Sequence, residues 1–411
     1  MNPAASAAYS LLTAAAVRQR CHRLLALGLD GKLQYFSVEL DRLEAAADLV
    51  IDCTRRTYPQ FDVPLHSRWR HFTVDGEDRW GRLEAAVAWQ DRAERARAAF
   101  DLAILSVLLD AGADARWRYR DPNTGRSFAR SEGLALASLA MFATGGASHD
   151  PGKPLCVDAS ALLAMTPEAL GRHFQVSDAN PLPDLAGRLT LLRRLGEVVA
   201  ANPSVFARNG RPRPGGLFDY LVETGDGRSI AAPRLLSEIL RQLGPIWPGR
   251  LELAGVCLGD CWRHPRIGTD DSTSGLVPLH KLSQWLAYSL IEPLQAAGLD
   301  IIDIDGLTGL AEYRNGGLML DTGVLSLRDP AAMKLVHDVG ATLVVEWRAL
   351  TVALLDRLAE SVRQRLGADR GALPLVRLLQ GGTWAAGRQI AALKRAEGGP
   401  PLTVLGDGTV F

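Results

Sequence analysis

The stretch from about Ala341 to Leu366 constrains this chain more than any other. Leu343, Trp347, Leu350, Leu354, Leu358 and Val362 recur every three or four residues, the spacing that gathers apolar side chains on one face of a long helix. A helix of that length owes its stability to packing, so other helices must cover the stripe and it should be central. The same spacing runs through Leu185, Leu189, Leu192, Leu195, Val198 and Val199, and through Leu235, Leu236, Ile239, Leu240 and Leu243. It recurs at Leu282, Leu286 and Leu290 in HKLSQWLAYSLIEPL, where Pro293 is expected to end or kink the helix. Strand signals are confined to two places. One is VLLDAG followed by ARWRYRDPNTGRSF, with a turn at Asn123 to Gly125; the other is the terminal LTVLGDGTVF, with a turn at Gly406 to Gly408. GGASHDPGKP, NGRPRPGG and RIGTDDSTSG read as loops, and no repeat, heptad seam or long low-complexity linker divides the chain. The expectation is a mainly α fold: one large helical body over residues 1–411 with small peripheral β hairpins, residues 1–60 being a helical elaboration.

The charge balance bears on the ligand. With 46 Lys plus Arg against 46 Asp plus Glu, no broad polycationic surface for nucleic acid is expected, and the partner should be a small molecule. The N-terminus lacks the early positive charge of a secretory signal, and the uncharged tract from Leu134 to Gly146 is too short to span a membrane. Five cysteines at scattered spacings suggest no disulfide framework. A cytoplasmic location away from membranes is therefore expected, and the oligomeric state is left open. No cofactor is expected either. Gly146 to Lys153 has the wrong spacing for a phosphate loop and Pro154 replaces its hydroxyl residue; no GxGxxG turn, HExxH helix or GxSxG elbow is present.

Two segments concentrate chemistry. GVCLGDCWRHPRIGTDDSTSGLVPLHK brings Cys257, Asp260, Cys261, His264, Asp270, Asp271 and His280 together, but a lone CxxxC with scattered histidines is not a zinc pattern, and no metal site is expected. At its end His280 and Lys281 open a helix after Pro278, where free N–H groups favour an anion such as phosphate. Trp262 and Trp285 are candidates to stack on a planar group. The second segment is LDIIDIDGLTGLAEYRNGGLMLDTGVL, where polar residues interrupt an apolar run and so must be paired or used. Glycosidic cleavage at a ribose needs a carboxylate near the anomeric carbon, and Glu312 is the candidate, with Asp305 beside it in the catalytic assignment. Asp303, Asp305 and Asp321 are candidates for ribose hydroxyls or the water, Arg314 for a phosphate or carbonyl, and Asn315 for a further substrate contact. Gly316 and Gly317 would let a backbone approach the ligand. An ion pair between Glu312 and Arg314 is the structural alternative. Arg130 and Glu132 at the head of RSEGLALASLAMF could add charge to the pocket.

Across most of its length the chain resembles a known family. HFTVDGEDRW, TGRSFARSEGLALASLAMF, GVCLGDCWRHP, VPLHKLSQWLAYSLIEPL, LTGLAEYRNGGLMLDTGVL, VEWRALTVALLD, GGTWAAGRQIA and the final DGTVF are similar to the uracil-catabolism proteins of fungi and bacteria. The resemblance implies a uracil-degrading route through UMP and ring-opened derivatives, with release of urea from ribosylurea or its phosphate. A looser similarity, mainly Leu307 to Arg314, links the chain to the glycosidases that salvage queuine from queuosine nucleotide. This implies a body like that of the helical DNA glycosylases. Those enzymes carry aspartate before Tyr-Arg, where this chain has Glu312. The expected function is an N-ribosyl hydrolase yielding urea and ribose or ribose phosphate. The alternatives are a metal-dependent amidohydrolase using Asp260, His264, Asp270 and His280, and a non-catalytic nucleotide sensor.

Overall fold

The computed structural model describes residues 2–110, 116–225, 227–247, 249–396 and 398–405. It is mainly helical. The helices that build the body are α1 (Ala14–Leu29), α2 (Leu43–Thr57), α3 (Arg92–Leu108), α4 (Arg130–Ala143), α5 (Leu185–Ala201), α6 (Ala232–Leu243), α7 (Lys281–Ala296), α8 (Tyr313–Asp321), α9 (Thr342–Leu366) and α10 (Trp384–Lys394). The long stripe forms α9 as expected. All six of its marker residues are buried, and the helix ends at Gly367, whose φ of +63° suits a residue without a Cβ.

Packing around α9 orders the rest. α1 and α2 lie against it, so the first 60 residues are built into the body. α8 rests on both α9 and α10, while α7 packs on α3 and α6. One apolar cluster runs from Leu12 to Leu402 through these helices. Among the described residues, no helix is long and apolar enough to cross a membrane.

The strands form only two-stranded sheets among the described residues. Arg118–Arg120 and Ser127–Ala129 make the hairpin expected around Asn123 to Gly125. VLLDAG is no strand where it is described: α3 continues to Leu108, buried on nearly every side, and burial on all faces erases the periodicity that separates a helix from a strand. Thr403–Leu405 pairs in parallel with the distant Val336–Asp338, and the turn expected at Gly406 to Gly408 lies outside the described residues. Cys261–Arg263 and Leu276–Pro278 form an antiparallel pair that brings Asp260 beside the start of α7.

Pro293 neither ends nor breaks α7, which continues to Ala296. A proline there leaves the carbonyl of Ser289 without its helical N–H, and that oxygen accepts from the Trp69 indole Nε1 at 2.7 Å. The missing bond is replaced from outside the helix.

Candidate active site

Glu312 is the N-cap of α8. Its two carboxylate oxygens accept from the backbone N–H groups of Arg314 at 2.7 Å and Asn315 at 2.5 Å, the role an acidic side chain plays where a helix begins. Burial pushes its pKa above the ordinary glutamate value, against the pull of those two N–H groups, Lys281 and Arg314. Each oxygen still has a lone pair free for a ligand.

Lys281 opens α7 and faces the same region. Its ammonium makes no hydrogen bond or ion pair among the described residues, although it lies within electrostatic reach of Glu312 and Asp110. Burial lowers its pKa, and the two carboxylates only partly offset this. Asp110 comes from the end of α3, where its oxygens accept from Arg68 Nη1 at 2.6 Å and Ser131 Oγ at 3.1 Å. Arg68 is fully buried and also donates Nε to Ser106 Oγ at 2.6 Å.

A further wall stands behind Lys281. Trp285, one turn along α7, lies under the Arg68 guanidinium at 5.5 Å, with the His71 ring edge-on at 5.8 Å and the His66 ring at 6.4 Å. His66 Nδ1 pairs with Gln380 Oε1 at 2.8 Å. Gln380 sits in a π-helical turn, Leu379–Thr383.

Arg348 of α9 holds the two central residues in place. It meets both oxygens of Asp260 at 2.9 and 2.7 Å, and its Nε donates to the carbonyl of Ala311, the residue before Glu312. Asp260 in turn accepts from the Lys281 backbone N–H at 2.9 Å and from Trp262 Nε1 at 2.6 Å. Burial alone would raise the Asp260 pKa, but Arg348 more than offsets it and holds the carboxyl well below the usual range.

The structure redistributes several expected site residues. Asp305 pairs with Arg363 Nη2 at 2.9 Å and accepts from the Leu375 N–H at 2.6 Å. With Asp303 it lines a separate surface cleft alongside Arg18 and Arg370. Asp321 is clamped by both terminal nitrogens of Arg395 at 2.8 and 2.5 Å. It lies at the far end of α8, about 13 Å along the axis from Glu312 at 1.5 Å per residue. His280 is fully buried with a φ of +49° and its Nε2 toward the carbonyl of Leu11 at 2.9 Å. The first N–H of α7 is bound to the Asp260 carboxylate and so is not open to a phosphate. Trp262 supports Asp260 and carries Arg250 over its ring at 5.4 Å.

Arg314 does not pair with Glu312 through its side chain. Its Nη1 donates to the carbonyl of Gly398 at 2.7 Å, and its guanidinium lies 4.9 Å from the Tyr313 ring centre. Asn315 donates Nδ2 to the carbonyl of Leu310, leaving its buried Oδ1 without a partner among the described residues. Gly316 admits Trp347 rather than a ligand, because a Cβ there would stand 2.7 Å from the indole. Arg130 begins α4 with a φ of +53° and adds positive charge near Tyr313, and Glu132 lies near Arg68.

The residues of the metal reading do not converge. Asp260 serves Arg348, and His280 serves Leu11. His264 Nε2 meets the buried Glu346 at 3.1 Å while its Nδ1 accepts from the Arg266 N–H, and Asp270 is exposed in the loop after Ile267. No group of three or more His, Cys, Asp or Glu side chains among the described residues is arranged to hold a metal.

Asp110, Arg68, His66, His71 and Gln380 were not found in the sequence. The one signal was HFTVDGEDRW, which begins at His71; nothing local marks the others. Burial, then the Arg68 charge, presses the His71 imidazole well below the ordinary histidine value. Below pH about 6.5 the unfolded chain therefore takes up a proton that the folded chain refuses, and stability declines as pH falls. We expect up to about 1.4 kcal/mol per pH unit from this group. His71→Phe should make the fall between pH 6.5 and 5 shallower in chemical denaturation; an unchanged slope would remove His71 as a source.

The chain as a whole is similar to known proteins. A family model described as a protein of unknown function, DUF1688, matches residues 10–411. The chain is 38% identical over 414 residues to uracil catabolism protein 4 of Lachancea kluyveri, covering 93% of each chain. It is 36% identical over 411 residues to the protein urg3 of Schizosaccharomyces pombe, covering 98% of each.

Proposed function

The chain belongs to the DUF1688 family, and on that premise we propose that it acts in uracil catabolism as an N-ribosyl hydrolase. Its substrate is ribosylurea or the 5-phosphate, and its products are urea and ribose or ribose phosphate. The uracil-catabolism name of a relative covering 93% of the chain supports the pathway. The observation that carries the reaction is a buried carboxylate, Glu312, within electrostatic reach of an ammonium, Lys281, that makes no hydrogen bond or ion pair among the described residues, with a second carboxylate, Asp110, in the same reach.

Cleavage of the C1–N bond leaves positive charge on the sugar and an electron pair on the departing nitrogen. Glu312 faces the first of these: its capped, desolvated carboxylate stabilises an oxocarbenium-like centre more strongly than one in water. Lys281 faces the second. Its lowered pKa makes the ammonium a better acid toward the urea nitrogen. Water then adds its hydroxide to C1 and returns a proton to Lys281, so the sum is one water consumed and one urea released. Asp110, held by Arg68 and Ser131, accepts a sugar hydroxyl in this reading.

The test is incubation of purified protein with ribosylurea and with its 5-phosphate, quantifying urea and free sugar. Equimolar urea and sugar from either compound are expected. Tight binding without product would instead make the protein a sensor.

A further inference from the structure

The wall behind Lys281 holds an unmatched pair of hydrogen-bonding groups that the bond-breaking chemistry does not use. The indole N–H of Trp285 has no partner among the described residues, although the side chain is 5% exposed. Buried donors are seldom left so, because an unmade hydrogen bond carries the full desolvation cost. Facing the same ring is His66. Gln380 presents its carbonyl oxygen to His66 Nδ1, which places the imidazole proton on Nδ1 and leaves Nε2 a bare acceptor. Nε2 has no partner among the described residues. Burial, reinforced by Lys281, lowers the His66 pKa and keeps the ring neutral.

Gln380 is held firmly. It lies in the π-helical turn Leu379–Thr383, a local irregularity that often marks functional sites. The two glycines that follow fit where a Cβ would stand 2.9 Å from Val63 and 2.5 Å from Val50. The turn is thereby wedged against α2, which holds Gln380 beside His66. Trp285 and Lys281 are four residues apart on α7 and share one face, about 5–6 Å apart at their Cβ atoms.

Resting on the glycosidase reading, we infer that Trp285, His66 and Gln380 form a recognition subsite for a planar amide-type leaving group, with Trp285 Nε1 donating to its carbonyl oxygen and His66 Nε2 accepting one of its N–H groups. One donor beside one acceptor matches the edge of a urea or a primary amide. A carboxylate or ester presents acceptors only and would set a lone pair against His66 Nε2. The subsite therefore selects an amide-type group at C1 over a carboxylate, because a mismatched buried polar group is penalised more than a lost apolar contact.

The test reads the indole proton directly. In the full-length Glu312→Gln protein labelled with ¹⁵N, the Trp285 indole signal is the one missing from the further Trp285→Phe variant. Titration with ribosylurea should move it downfield. In the otherwise native protein, Trp285→Phe should raise KM for ribosylurea about tenfold with a smaller change in kcat. Saturable binding with the indole signal unmoved, or an unchanged KM in Trp285→Phe, overturns the subsite while leaving the glycosidase reading intact. A downfield shift without urea release by the native protein sinks the hydrolase and keeps the subsite. No binding of ribosylurea at all overturns both.

Discussion

Glu312→Gln is expected to lower the rate of urea release by about a thousandfold or more, the scale seen when a group that stabilises transition-state charge is removed. The substitution keeps size and one carbonyl acceptor but loses the charge that meets the sugar cation. It also disturbs the start of α8, where both carboxylate oxygens accept backbone N–H groups. The amide nitrogen of glutamine would set a donor against one of them. That defect costs about 1 kcal/mol, as for the loss of a helix cap, and the fold should survive it. Glu312→Asp separates the two roles. Aspartate caps well and keeps the charge but draws the carboxylate back by one methylene, so stability should return while turnover stays depressed. Urea release measured beside chemical denaturation distinguishes these outcomes, and native turnover in a folded Glu312→Gln protein would remove Glu312 from the reaction.

Arg348→Met is expected to be the most destabilising single change at the site, by about 3–5 kcal/mol, because it strands a buried carboxylate. Asp260 would lose both bonds at 2.9 and 2.7 Å, and the carbonyl of Ala311 would lose its donor. The consequence reaches function, since Asp260 carries the first N–H of α7 and Ala311 precedes Glu312. Lys281 and Glu312 would no longer be fixed relative to each other, and turnover should fall with stability. Adding Asp260→Asn removes the stranded charge and should recover part of the stability but little of the turnover. A loss below about 1 kcal/mol in Arg348→Met, the scale of an exposed pair, would show that this link holds nothing in place. Arg348 is thus a positioning residue: it acts through the backbone on either side of the reacting groups.

Both variants depend on contacts between segments far apart in the chain, and this separates what was legible in the sequence from what was not. Periodicity identified α5 because it leaves a polar face exposed, whereas α7 from Leu282 to Ile291 and α9 from Leu343 to Leu355 are buried on nearly all sides and were marked by the three- and four-residue spacing of their large apolar residues. It misled at VLLDAG, where α3 is enclosed on nearly all sides. Pro293 pointed to a break in α7, but the indole of Trp69, far away in sequence, supplies the donor that the proline lacks.

Within the site the same contrast holds. Glu312 was legible because an acid among apolar neighbours must be paired or used, although its place at the start of α8 was not read from the sequence. Asp305 and Asp321 were not separable from it by composition: each has an arginine partner, Arg363 and Arg395, at least 58 residues away. Lys281 was singled out for a helix-start anion site, yet the structure gives its N–H to Asp260 and leaves its ammonium within electrostatic reach of two carboxylates.

By itself, then, the sequence determined a helical body with α9 at its centre and a polar-interrupted segment, residues 299–325, that contains Glu312, since amphipathic spacing and an acid among apolar residues are local properties of the chain. Only the tertiary structure decided which charges meet. It brought Asp110 within electrostatic reach of Lys281, set the His66 ring beside Trp285 and tied Asp260 to Arg348. The physical reason is that desolvation and pairing depend on neighbours in space, which four helices and a π-helical turn supply from distant parts of the chain.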